Sequence, residues 1–116
     1  MAALADWVAS YEQAWASNDA GEIGTLFTED ALYFTAPFRD PWQGRQEIVV
    51  GWLDRQDEPG TWTFAWQVLL DTPELGIVTG TTAYSDPPQA YSNLWVIRLA
   101  ADGRCREFTE WWMLHS

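Results

Sequence analysis

The chain has 116 residues, 47% of them apolar, and 17 acidic residues against six basic ones give it a net charge of −11. That length and apolar content describe one domain, residues 1–116, with a core of its own. The charge repels polynucleotide backbones and anionic membranes, so neither is expected as a partner.

In chain order, Leu4, Trp7, Val8, Tyr11, Ala14 and Trp15 recur with the spacing of an amphipathic helix from about Ala3 to Ser17, with Asp6, Ser10, Glu12, Gln13 and Ser17 on its wet side. Asn18 suits a left-handed helix end. Asp19-Ala20-Gly21-Glu22 is an acidic variant of the capping box and opens a short helix, about Ala20 to Phe27, anchored by Ile23, Leu26 and Phe27. A short strand is expected over Ala31–Thr35. Two prolines and a glycine between Ala36 and Gly44 predict a loop, and a third helix follows from about Arg45 to Gln56, stopped by Asp57-Glu58-Pro59-Gly60.

Four long strands are expected after that. Trp62 to Leu70 alternates Trp62, Phe64, Trp66, Val68 and Leu70 against Thr63, Ala65, Gln67 and Leu69, with a turn at Asp71–Glu74. Leu75–Tyr84 ends at Ser85-Asp86-Pro87-Pro88, and Ala90–Leu99 leads through the Ala101-Asp102-Gly103 hairpin turn into Arg104–Leu114. In this last strand Phe108, Glu110, Trp112 and Leu114 share one face, and Cys105, Glu107, Thr109, Trp111 and Met113 share the other. Helices first and antiparallel strands afterwards predict an α+β fold.

The nine tryptophans are the compositional anomaly. Each buried ring removes roughly 150–250 Å² from water, on the order of 4–6 kcal/mol at about 25 cal/mol per Å². Either the core is unusually aromatic or some rings line a pocket or a subunit interface. The single cysteine, Cys105, cannot form an internal disulfide and reads as a buried, inert thiol. Met1 to Ser10 lacks the pattern of a signal peptide, and no apolar run is long enough to span a bilayer, so a cytoplasmic protein is expected.

Trp15-Ala16-Ser17-Asn18-Asp19, Leu26-Phe27-Thr28-Glu29-Asp30-Ala31, Gly44-Arg45-Gln46-Glu47-Ile48 and Asp102-Gly103-Arg104 leading to Glu110-Trp111-Trp112 follow one another in an order that resembles the SnoaL-like members of the nuclear-transport-factor-two-like superfamily. The resemblance covers essentially the whole chain. It implies a cone in which three N-terminal helices pack in a strongly curved, mostly antiparallel sheet that encloses a pocket. It also implies pairing of two copies through the outer sheet face. The scaffold carries isomerases, hydrolases, cyclases and non-catalytic proteins, so fold alone does not assign the reaction.

Compared with ketosteroid isomerases, Tyr11 matches the enolate-stabilising tyrosine, but Thr35 stands in the place of the basic aspartate and Trp95 in that of the assisting acid. Compared with limonene-epoxide hydrolases, Tyr33 matches the tyrosine and Glu110 one aspartate. Thr35 replaces the asparagine there, and Thr82 and Tyr84 fall where the arginine and the other aspartate belong. Neither reaction's full set is present.

Glu110 is the candidate proton-transfer group, because burial in an aromatic wall raises a carboxyl pKa toward neutrality. A purely structural hydrogen bond at the pocket mouth is the alternative. Tyr33 and Tyr11 are candidate hydrogen-bond donors to a reacting oxygen. Trp15, Thr35, Trp52, Trp66, Thr82, Tyr84, Trp95, Phe108 and Trp112 are the candidate substrate-binding wall, suited to a compact apolar or aromatic ligand. Arg39, in the loop bordering the cavity, is placed to meet an anionic ligand or to stay solvated. His115 has no partners at a recognisable spacing, and no metal or organic cofactor is implied. The expected function is a small-molecule enzyme of the isomerase, hydrolase or cyclase kind, or a non-catalytic binding or oligomerisation domain of the same fold.

Overall fold

A computed structural model describes residues 3–58, 60–85 and 88–115; the expected breaks at Pro59 and at Asp86 and Pro87 lie outside them. Helix α1 spans Ala3–Ser17 and buries Leu4, Trp7, Val8, Tyr11 and Ala14. It ends where its periodicity ends: Asn18 takes a φ of 52° and donates its backbone N–H to Ala14 O at 2.8 Å. The Asp19 carboxylate then caps α2 (Ala20–Thr25) by accepting the Glu22 N–H at 3.0 Å. The return half of the capping box runs through a third side chain. The Asp19 N–H donates to Ser17 Oγ, which donates to Glu22 Oε2, both at 3.2 Å.

Helix α2 is shorter than its apolar pattern, because Leu26 and Phe27 are captured by the sheet. Strand β1 is Phe27–Phe34, four residues longer at its start than the expected Ala31, and the Cys105 N–H donates to Leu26 O at 2.8 Å. Trp42–Gln43, expected as loop, form strand β2 against β1, with Tyr33 opposite Trp42. Helix α3 is Arg45–Asp54, and β3 to β6 are Trp62–Asp71, Gly76–Ser85, Pro88–Leu99 and Cys105–Leu114. The six strands make one curved, unclosed sheet ordered β2-β1-β6-β5-β4-β3, parallel at β1–β6 and antiparallel elsewhere.

The three helices thus lie with a curved α+β sheet as expected, and the core fills the space between them. One register detail differs. The pairing of β5 with β6 shifts between Arg98–Glu107 and Leu99–Cys105, so Arg106 is the extra residue of a bulge. Cys105 and Phe108 consequently both point into the core, where the strict alternation put them on opposite faces. Burial pushes the Cys105 thiol up to about 12, which leaves it unreactive at neutral pH. None of the described helices is long and apolar enough to cross a membrane.

Gly51 of α3 is where the helix meets β2. A Cβ added there would sit 2.5–2.8 Å from three atoms of the Trp42 indole, and Trp42 is itself held from its other side by stacking on Tyr33 at 4.8 Å. Alanine gains up to about 1 kcal/mol of helix propensity over glycine, but overpacking a fixed ring costs about 1–3 kcal/mol. Gly51→Ala should therefore lower the unfolding free energy in a urea titration; an unchanged or raised midpoint would show that Trp42 is free to move.

Candidate functional site

The concave face of the sheet and the helices enclose a cavity of about 330 Å³, at the small end of the range of about 300–1,000 Å³ that holds small molecules. Strand alternation explains its sheet wall. Asn93 and Trp95 project inward from β5, Thr82 and Tyr84 from β4, and Glu110 and Trp112 from β6, with Trp95 paired opposite Glu110. Tyr11 and Trp15 of α1, Trp52 of α3, Tyr33 and Thr35 at the end of β1, and Trp42 of β2 complete most of the rest.

Glu110 is half-buried in this wall, and its Oε2 accepts two hydrogen bonds, from Asn93 Nδ2 at 2.7 Å and from Trp95 Nε1 at 3.2 Å. Thr82 Oγ1 donates to Asn93 Oδ1 at 2.7 Å, which fixes the amide with its N–H side toward the carboxyl. Both donors meet the same oxygen. Oε1 has no protein partner among the described residues and is not enclosed, so it faces the cavity. Burial raises the Glu110 carboxyl above its ordinary value of 4.5, while the Trp95 and Asn93 hydrogen bonds pull it the other way.

Facing the same cavity, Tyr11 and Tyr33 share a hydrogen bond between their hydroxyls at 2.8 Å. Their rings are clamped: Tyr33 between Trp42 (4.8 Å) and Phe108 (4.6 Å), Tyr11 against Trp95 (4.5 Å) and Trp52 (4.7 Å). Burial first, and neighbouring acidic groups second, hold both phenols far above the usual tyrosine value, so they remain neutral donors. One hydroxyl proton is consumed by the pair. The other is left to donate into the cavity.

A second carboxylate, Asp57, stands in the segment that follows α3. Asp57 Oδ2 accepts from Trp15 Nε1 at 3.0 Å and from the Tyr84 hydroxyl at 3.1 Å, and its backbone carbonyl accepts from Asn18 Nδ2 at 2.9 Å. Arg39 and Arg55 lie on the same wall.

Of the residues expected to form the site, Glu110, Tyr11, Tyr33, Trp15, Thr35, Trp52, Thr82, Tyr84, Trp95 and Trp112 meet on this cavity. Two do not. Phe108 lies fully buried behind the Tyr11 and Tyr33 rings, because the face it shares with Glu110 runs from core to rim along β6. Trp66 is drawn to α1, where its indole N–H donates to Glu12, outside the cavity wall. Farther along β6, Trp112 is half exposed at the rim and Leu114 is outside. His115 is on an exposed edge and shares a hydrogen bond with Ser92 Oγ at 2.7 Å.

Asn93, Asp57, Arg55 and Trp42 were missed as cavity residues. Asn93 carried a signal: it precedes Trp95 by two residues on one strand, so a wall containing Trp95 contains it too. Asp57 and Arg55 carried none, since they read as the end of a helix.

No protein-family model matches the sequence, and no curated protein matches it. Solved structures do. An NTF-2-like protein from Burkholderia xenovorans superposes with a TM-score of 0.74 at 13% identity over 95% of this chain and 82% of that one. A ketosteroid isomerase-like protein from Erwinia carotovora atroseptica gives 0.67 at 17% identity over 94% and 92%. An LEH-like epoxide hydrolase of M. tuberculosis gives 0.70 at 14% identity over 93% and 80%. Likeness at such identities concerns the backbone, and on it the chain has the α+β cone of the nuclear-transport-factor-two-like fold.

Proposed function

We propose that the chain binds a compact, flat, largely apolar small molecule in this cavity and moves a proton on it with Glu110, as an isomerase, hydrolase or cyclase that needs no metal or organic cofactor. The observation that carries the reading is the division of labour within one carboxyl. Oε2 is held by Asn93 and Trp95 while Oε1 is open to the same cavity as the Tyr11–Tyr33 hydroxyls. A general base needs a fixed direction and a pKa raised toward the working pH, and a reacting oxygen needs a preorganised donor. Glu110 supplies the first and the tyrosine pair the second. The aromatic rings of Trp15, Trp52 and Trp95 supply the apolar walls, with Trp112 at the rim.

The competing reading is a non-catalytic binding domain. Thr35 favours it, standing where the resemblance to ketosteroid isomerases places the base, and so does Thr82, whose hydroxyl is committed to Asn93. Deuterium exchange separates the two. In deuterated water the protein should catalyse exchange at the carbon beside the carbonyl of a small bicyclic ketone, followed by NMR, and Glu110→Gln should slow it about 10²–10⁴-fold with ketone affinity retained. Exchange that survives Glu110→Gln, or ketone binding with no exchange at all, would leave the binding domain as the better reading.

We also propose that two copies pair through the outer face of the sheet. Trp111 and Met113 of β6 and Leu69 of β3 are 52%, 70% and 55% exposed there, an apolar surface that a monomer would leave in water. Sedimentation at micromolar concentration should return twice the chain mass of 13.2 kDa, and Trp111→Glu should reduce it to one; a monomeric mass for the unaltered chain would refute the pairing.

A further inference from the structure

All six basic residues are arginines. Arg45 donates Nε and Nη2 to Phe27 O at 3.1 and 2.9 Å, Arg98 pairs with Glu107 at 3.5 Å, and Arg104 sits 3.9 Å from Asp102. Arg106, at the bulge of β6, is exposed, away from the cavity lining and without such a partner among the described residues. Arg39 and Arg55 differ in their place. They are the two arginines on the cavity wall, and among the described residues neither forms an ion pair or a side-chain hydrogen bond. Each instead leans on an aromatic ring: Arg39 is 5.5 Å from the Phe38 centroid and Arg55 is 5.8 Å from that of Trp42. Such contacts engage the face of a guanidinium and leave its N–H fork open.

An exposed arginine without a partner is ordinary by itself, since a surface ion pair is worth only about 0–1 kcal/mol. What is unusual is the company. Asp57 is two residues from Arg55 and is the obvious counter-ion in a chain of 17 acidic residues, yet its Oδ2 is taken by Trp15 and Tyr84. Glu110 is likewise occupied by neutral donors, Asn93 and Trp95. Each carboxylate of the cavity therefore has one oxygen held by neutral donors and no cation paired with it, and both cations of the cavity are left without an anion.

We infer that the ligand carries an anionic oxygen group, in the simplest case a carboxylate, held by Arg39 and Arg55 while its apolar rings lie between the tryptophans. This rests on the reading of the cavity as a small-molecule site and narrows it to an amphiphilic aromatic acid. The polarity also fixes the direction of binding. An anionic head is repelled by Glu110, so the head lies at the arginines and the other end of the ligand reaches Oε1 and the tyrosine hydroxyls.

The test compares 2-naphthoate with 2-naphthamide, which share rings and shape and differ in charge, by isothermal titration calorimetry. The unaltered protein should bind the acid about tenfold more tightly than the amide, as charge-assisted hydrogen bonds allow. The Arg39→Gln/Arg55→Gln double variant should lose that preference by weakening the acid alone. Added salt should weaken the acid and spare the amide in the unaltered protein, which keeps the test decisive if the double variant fails to fold. Equal affinity of the unaltered protein for acid and amide, or an acid affinity indifferent to salt, overturns the anionic head and leaves the cavity reading intact. Failure of both probes to bind overturns the cavity reading, and the inference with it.

Discussion

A carboxylate set into an aromatic wall persists only where donors from the same wall reach it, and Asn93 Nδ2 and Trp95 Nε1 both reach Glu110 Oε2, at 2.7 and 3.2 Å. The rest of the cavity is arranged around that meeting. Antiparallel pairing sets Trp95 opposite Glu110, Thr82 on the next strand orients the Asn93 amide, and Phe64 stacks on Trp95 at 4.9 Å. Removing both donors would leave the acid to its desolvation alone. Keeping both leaves one oxygen held and the other open, the arrangement a proton carrier requires.

The same arrangement has a cost in stability, and its sign is determined by the pKa. Burial raises the folded-state value of Glu110 above 4.5, so the fold binds this proton more tightly than the unfolded chain does. The stabilisation from Glu110 is full below its ordinary value and is lost as pH rises through the raised one. At neutral pH the carboxylate is therefore a burden on the fold. A site kept for function is the usual setting for such a local conflict.

The abundance of tryptophan connects to this chemistry through the indole N–H as well as through ring burial. Trp7 donates to Leu26 O, Trp15 to Asp57, Trp66 to Glu12 and Trp95 to Glu110. Three of these four acceptors are carboxylates. In a chain with 17 acidic residues and no lysine, indoles do part of the work of cations, binding acids from within apolar walls while leaving Arg39 and Arg55 unengaged at the cavity. An indole N–H donates without a charge of its own to desolvate, which suits it to a half-buried site.

Features governed by local chemistry were readable in the sequence: the stripe of α1, its end at the left-handed Asn18, the Asp19 cap and the in-out alternation from Trp62 to Val68. What was hidden depends on distant partners. Phe27 to Asp30 looked like the end of a helix and its exit, and became strand because β6 lies beside it. Trp42–Gln43 became strand because β1 does. A one-residue bulge at Arg106 turned Cys105 inward, and Glu12, across the fold on α1, drew Trp66 away from the cavity. Glu110, Tyr11 and Tyr33 were legible because each sits on a periodic face, whereas Asp57 reaches the cavity from the segment after α3, which no periodicity marks. A proton-carrying role for Glu110 depends most directly on where its carboxyl titrates. A carbon-13 NMR titration of glutamate-labelled protein, with Glu110→Gln identifying the resonance, should place its midpoint clearly above 4.5. A midpoint at or below that value would mean that the Asn93 and Trp95 donors outweigh burial, and that Glu110 is a structural acceptor instead of a carrier of protons.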